Sequence, residues 1–130
     1  MKAIDKRTID ESEEFILNAI SCITNLLFYD TPNSQLLNDD LRVKIFNSIK
    51  LYMLATQNEE IQIETVRVLS NLSRHVQLCE EFVADSTYVE ALTVVLDLTL
   101  RDLVFYSVGI IINISLHETT RGKLLEATAS

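Results

Sequence analysis

The sequence predicts an all-α fold, a short α-solenoid of about three helical units, and three observations carry that reading. The 130 residues include only 2 Gly and 1 Pro, too few for the many chain reversals of a sandwich or barrel. Hydrophobic residues make up 48% and charged residues 23%, the balance of one folded domain and not of a disordered chain. The third observation is an internal repeat.

Asn25, Asn71 and Asn113 stand 46 and 42 residues apart in matching surroundings. Six positions before each comes a small residue: Ala19, Thr65 or Ser107. Five and two positions before come Ile20 and Ile23, Val66 and Leu69, and Val108 and Ile111; directly after comes Leu26, Leu72 or Ile114. Spacings of roughly 40 to 47 residues belong to stacked helical repeats. Each segment is apolar around most of a helix: Val66, Leu69, Leu72 and Val76 form one stripe, and Ile61 and Val68 widen it. Such a helix must be covered on two sides, as the inner helix of a solenoid is. The small residue then marks a point of close helix contact.

The elements follow in order. Thr8 and Glu11 have capping-box spacing, so the first helix runs from there to about Phe28. Thr31 and Pro32 read as a cap and first-turn proline ahead of a short helix from Ser34 to Leu37. Asp39 or Asp40 caps a helix from Leu41 to about Thr56, with Val43, Ile45, Phe46, Ile49, Met53 and Leu54 on its buried face. Asn58, followed by Glu59 and Glu60, caps an inner helix that begins near Ile61. A short helix spans Val76 to Ala84. Ser86 caps another from Tyr88 to about Leu98, and Asp102 caps the third inner helix, through Leu116. The tail from Thr119, with Leu124 and Leu125, reads as the opening helix of a further unit.

Local propensity alone would allow strands at Val94–Val95 and Ile110–Ile112. The apolar run after Leu103 lacks two-residue alternation, however, and its repeat equivalents hold Ala19 and Arg67. The repeat therefore outranks propensity. The competing fold is a bundle of roughly six to eight helices that happens to contain repeated segments. On the solenoid reading, residues 1–130 form one domain: a first helix at 8–30, repeats at 31–74 and 76–117, and the start of a further or capping unit at 119–130. A piece of a longer array would look the same.

Composition and motifs exclude several classes of function. Eleven Lys and Arg face 19 Asp and Glu, a net charge of −8, which disfavours nucleic acid and anionic membrane as partners. Cys22 and Cys79 are too few for a disulfide scaffold; both sit among apolar residues and read as buried free thiols of a reducing compartment. Residues 1–14 are rich in charge and lack the apolar run of a signal peptide. The uncharged stretches Phe15–Tyr29 and Leu103–Leu116 are shorter than the roughly 20 residues of a membrane span. An intracellular, cytoplasmic location is expected, with cytoskeletal, ciliary or nuclear sites as alternatives. The only histidines, His75 and His117, end separate inner helices as partly exposed side chains at helix C-termini. No metal, phosphate or nucleophile motif accompanies them, so no catalytic, cofactor or metal site is expected. The acidic pairs Glu13–Glu14, Asp39–Asp40, Glu59–Glu60 and Glu80–Glu81 are explained by helix starts and solvation. Asn71 and Asn113 also match the glycosylation acceptor pattern, but inside helices.

A helix with a small residue, an apolar pair and then Ser/Thr-Asn-Leu resembles the third helix of the armadillo-repeat family. Ala19 to Leu27 and Thr65 to Ser73 match that pattern, and Ser107 to Ser115 departs from it by carrying Ile112 before the Asn. The resemblance spans roughly Phe15 to Leu116, and some phrases are similar to armadillo-containing proteins of ciliary and flagellar assembly. The family implies a right-handed superhelix whose third helices line a concave groove. In peptide-binding members, groove Asn residues hold the backbone of an extended partner; here those positions are Asn25, Asn71 and Asn113.

One helical turn either side of each Asn, the rows read Ser21-Asn25-Tyr29, Arg67-Asn71-His75 and Gly109-Asn113-His117. The chain has no Trp, so the Trp-Asn array of nuclear-import receptors cannot form. The rows are neutral to mildly basic, and an extended partner with carboxylates near Arg67 fits them best. Gly109 would admit a partner backbone or a neighbouring helix. An Asn carboxamide can bind a peptide unit, and it can equally satisfy groups of the adjacent repeat. Two functions thus stand side by side: a non-enzymatic module binding an extended or helical protein segment, and a structural component packed into a larger assembly. A self-associating dimer through the end helices is a third arrangement.

Overall fold

The computed structural model describes residues 6–33, 37–55, 58–97 and 99–128, with the side chains of 6–10 and 54–55 left aside. Among the described residues are eight α-helices and no strand: α1 Lys6–Phe28, α2 Asp39–Ile49, α3 Tyr52–Ala55, α4 Glu59–Leu72, α5 Val76–Ala84, α6 Ser86–Val95, α7 Arg101–Ser115 and α8 Glu118–Thr128. The three repeat-matched helices form one layer, with α4 packed between α1 and α7. Helices α2 and α3 cover α4 from behind, α5 and α6 cover α7, and α8 packs on α5, α6 and α7. This is a short armadillo-like α-solenoid.

The core follows the apolar periodicity. Ile61, Val66, Val68, Leu69 and Leu72 of the central helix are all within 1% of complete burial. Phe46 of α2 meets Phe82 of α5 edge-on at 4.7 Å and Tyr88 of α6 at 5.9 Å, so one aromatic cluster joins the rear helices. The small positions Thr65 and Ser107 are fully enclosed, as close helix contact requires. Ala19, their equivalent on α1, is exposed because nothing among the described residues covers that face.

Several local expectations are corrected. The helix expected from Leu41 to Thr56 stops at Ile49 and resumes as α3. The Lys50 carbonyl at that break accepts hydrogen bonds from the Met53 N–H at 3.3 Å and from the Tyr88 hydroxyl of α6. Asn38, not Asp39 or Asp40, caps α2, its side chain accepting from the Leu41 N–H at 2.8 Å. The two aspartates instead occupy the first turn, where the helix dipole favours them. Asp85, not Ser86, caps α6, and α6 ends at Val95, short of Leu98. Leu100 precedes α7 with no side-chain cap, leaving Asp102 in its first turn. Helix α1 is already formed at Lys6, so Thr8 lies inside it. The expected helix at Ser34–Leu37 falls largely outside the described residues, and Leu37 itself lies in a bend. Asn58 caps α4 as its sequence context predicts, accepting from the Ile61 N–H at 3.1 Å.

Candidate functional site

Asn25, Asn71 and Asn113 lie on α1, α4 and α7, the three helices of one layer. In the α1–α4 seam, Asn18 and Ser21 lie opposite Glu60, Ile63 and Glu64 along an open hollow of about 270 Å³. The Thr24 hydroxyl reaches across that seam to Glu64 Oε2 at 3.3 Å. In the α4–α7 seam, the Arg67 guanidinium lies over the Tyr106 ring at 5.7 Å. A Cβ built on Gly109 would sit 3.4 Å from Ser70 Oγ, an ordinary contact distance, so α7 lies close to α4 here without requiring the glycine. A second hollow of about 460 Å³, mostly apolar, opens beside it between Ser70, Phe105 and Ile112.

The three Asn residues are not alike. Asn25 is exposed and Asn71 half-buried. Asn113 Nδ2 donates to Ser73 Oγ at 2.8 Å, tying α7 to the end of α4. Part of the ladder's hydrogen-bonding capacity is therefore spent between helices. Tyr29 is exposed and stacks edge-on against Phe28 at 5.1 Å, while His117 is half-buried just beyond α7.

His75 is not a groove residue. Its ring is buried, with Nε2 3.1 Å from Asp30 Oδ2 and 3.2 Å from the Asp30 carbonyl oxygen. It belongs to a polar knot that no sequence pattern announces. The Arg42 guanidinium donates to both Asp30 carboxylate oxygens, and Arg74 Nη2 donates to the carbonyls of Leu27 and Asp30 at 2.7 and 3.0 Å. The Arg42 hydrogen bonds hold the Asp30 carboxyl below its ordinary range against the opposing effect of burial, with the Arg42 and His75 charges adding. The one available hint is that Arg42 shares a helical stripe with Phe46 and Ile49.

The charge of the face also differs from expectation. Arg67 Nη1 is 2.6 Å from Glu64 Oε1, so this cation is already balanced. Glu13, Glu14 and Glu60 line the neighbouring end of the α1–α4 seam. The surface near Arg67 is therefore mixed in charge and not neutral to mildly basic. Cys22 is exposed, contrary to the burial expected of it, while Cys79 is buried. Its thiol donates to the Ser73 carbonyl at 3.0 Å and is pushed up to about 11, by burial first and then by Glu80.

Among the described residues, no group of three or more His, Cys, Asp or Glu could hold a metal ion, and no helix is long and apolar enough to cross a membrane. No family model matches the chain, and no solved structure matches it significantly. It is similar to armadillo repeat-containing protein 2 of Homo sapiens, 26% identical over 126 residues, and to that of Mus musculus, 27% identical over 126 residues. The match covers 97% of this chain and 14% of each relative, so the chain spans about one-seventh of their length. The helical stack and this similarity support a general protein-binding, scaffold role. The repeat in the sequence, the layered helices and this distant similarity all agree with an armadillo-like fold.

Proposed function

We propose that the open face of the α1–α4–α7 layer is a concave surface that binds a segment of a partner protein. The observation that supports this most is the row of polar side chains running across the adjacent helices α1 and α4. Ser21, Asn25, Arg67 and Asn71 carry it; Asn25 is exposed and Asn71 half-buried. Tyr29 and His117 lie just past the ends of α1 and α7. Asn113 contributes by fixing α7 beside α4 through Ser73. With neighbouring helices about 9 Å apart and an extended chain rising about 3.3 Å per residue, three rows accommodate about six partner residues. Backbone groups of such a segment would otherwise lose their water without replacement. The Glu13, Glu14 and Glu60 end favours a basic side chain in the segment.

The test is selection of peptides from a random display library against the intact chain, followed by titration of the selected peptides. Substituting Asn25→Ala and Asn71→Ala together is expected to weaken binding at least tenfold with the thermal melt unchanged. Equal binding by both forms would remove the Asn row from the mechanism.

A further inference from the structure

We propose that Glu64 sets the specificity of the binding face: it holds Arg67 as a hydrogen-bond donor for a neutral backbone carbonyl of the partner segment and disfavours acidic side chains there. This rests on the open face of the layer being the binding surface. The observation behind it is a chain of side-chain contacts that crosses all three inner helices. The Thr24 hydroxyl of α1 donates to Glu64 Oε2 at 3.3 Å. Glu64 Oε1 accepts from Arg67 Nη1 at 2.6 Å, and the Arg67 guanidinium lies over the Tyr106 ring of α7 at 5.7 Å. Glu64 also lines the hollow that Ser21 shares, so it stands beside the path of a ligand.

The two members of this ion pair are engaged unequally. Both Glu64 oxygens already accept a hydrogen bond, and the side chain is only 17% exposed. The Arg67 side chain is 41% exposed. A guanidinium carries five N–H donors, and among the described residues only those of Nη1 meet an acceptor. What the pair presents to a ligand is therefore donors. Asn71 stands one helical turn further along α4, on the same side of the helix.

Charge decides which acceptor suits those donors. Burial disfavours the guanidinium charge, and the Glu64 hydrogen bond together with the Glu64 and Asp102 charges more than offsets it. One cation thus already serves two carboxylates, and a carboxylate from the partner would bring a third negative charge to the same spot. A backbone carbonyl supplies the acceptor without the charge, and an extended segment carries one in every residue. Arg67 and the Asn71 carboxamide then bind neighbouring parts of one backbone.

The experiment is peptide selection from one random display library on two forms of the intact chain, wild type and Glu64→Gln, each checked by its thermal melt. Gln keeps the size of Glu and removes its charge. The wild type is expected to select neutral residues where Glu64→Gln enriches Asp or Glu at one position. Adding Arg67→Met to Glu64→Gln is expected to abolish that enrichment. A wild-type-selected peptide given Glu at that position is expected to bind Glu64→Gln at least about threefold tighter than the wild type, a margin that shrinks in high salt. Arg67→Met alone is expected to weaken the neutral peptides about tenfold, as loss of a hydrogen bond from a charged donor does; unchanged affinity overturns the carbonyl contact. Equal acidic content in both selections, or enrichment that survives Arg67→Met, overturns the role of Glu64 and leaves the binding face standing. Selection of no peptide by either form removes the face itself, and this inference with it.

Discussion

Arg42 clasps Asp30 through two parallel hydrogen bonds of 2.8 Å, and both side chains are almost wholly withdrawn from water. The pair joins the chain leaving α1 to the first turn of α2, and His75 ties the same carboxylate to the start of α5. Removing one partner strands a buried charge. Arg42→Met is expected to cost about 3–5 kcal/mol, read from chemical denaturation. The same geometry sets an acid dependence. Because the folded Asp30 carboxyl lies below its unfolded value near 4, its contribution is complete above about pH 4 and is lost as pH falls through the lowered folded value. Asp30→Asn should flatten that part of the stability profile, while lowering stability at neutral pH.

Thr65 Oγ1 and Ser107 Oγ are buried without a hydrogen-bond partner. A stranded hydroxyl costs about 1–3 kcal/mol of desolvation, and Val reproduces the shape of Thr. Thr65→Val and Ser107→Ala are each expected to stabilise the fold by about 1 kcal/mol, measured as a raised denaturation midpoint. A loss of similar size would mean that each hydroxyl has a partner in solution.

The inner helices were legible in the sequence because the repeat samples the same environment more than once. Thr65 and Ser107 could be assigned to close contacts since both fall on one aligned position. That logic fails at Cys22: its aligned partners Val68 and Ile110 are buried by neighbours that α1 lacks among the described residues. Burial is a property of the stack, and periodicity reports only the helix. Caps were harder to assign, because Asn38, Asp39 and Asp40 have the same capping chemistry and only the path of the loop selects among them. The Asp30–Arg42–His75 knot was illegible. Its members are 12 and 45 residues apart from Asp30 and belong to no shared pattern. Of the candidate site, the repeat registered the Asn positions, but it could not tell Asn113, bonded to Ser73, from the exposed Asn25 and the half-buried Asn71.

That difference between the Asn residues gives a stability test independent of any partner. Asn113→Ala removes the bond to Ser73 and is expected to cost about 1 kcal/mol. Asn71→Ala, with no such bond to lose, should change stability by less than about 0.5 kcal/mol. Thermal or urea unfolding of the two single variants decides it; equal losses would show that the two positions share one packing role.

Gly109 separates helix packing from ligand approach. In the interior of a helix, Gly is about 1 kcal/mol less favourable than Ala. The added methyl would meet Ser70 Oγ at 3.4 Å, a small side chain that can rotate away. Gly109→Ala is therefore expected to stabilise the chain by about 0.5–1 kcal/mol. If a partner backbone uses the gap, the same substitution should weaken binding of a selected peptide even as the melting temperature rises. Opposite movements of stability and affinity would assign the glycine to the ligand, and unchanged affinity would assign it to the α4–α7 seam.

The two cysteines should respond very differently to a thiol reagent. Cys22 faces outward on α1, whereas Cys79 is enclosed, bonded to the Ser73 carbonyl and pushed up to about 11. Thiolate, and not thiol, is the reacting form, so both access and ionisation hold Cys79 back. At mildly alkaline pH one cysteine is expected to label promptly, identified as Cys22 by peptide mass. Cys79 should label only at the rate of unfolding, and its labelling should accelerate in Arg42→Met, where loss of the knot raises the unfolded population. Prompt labelling of both sites in the native chain would contradict the enclosed placement of α5.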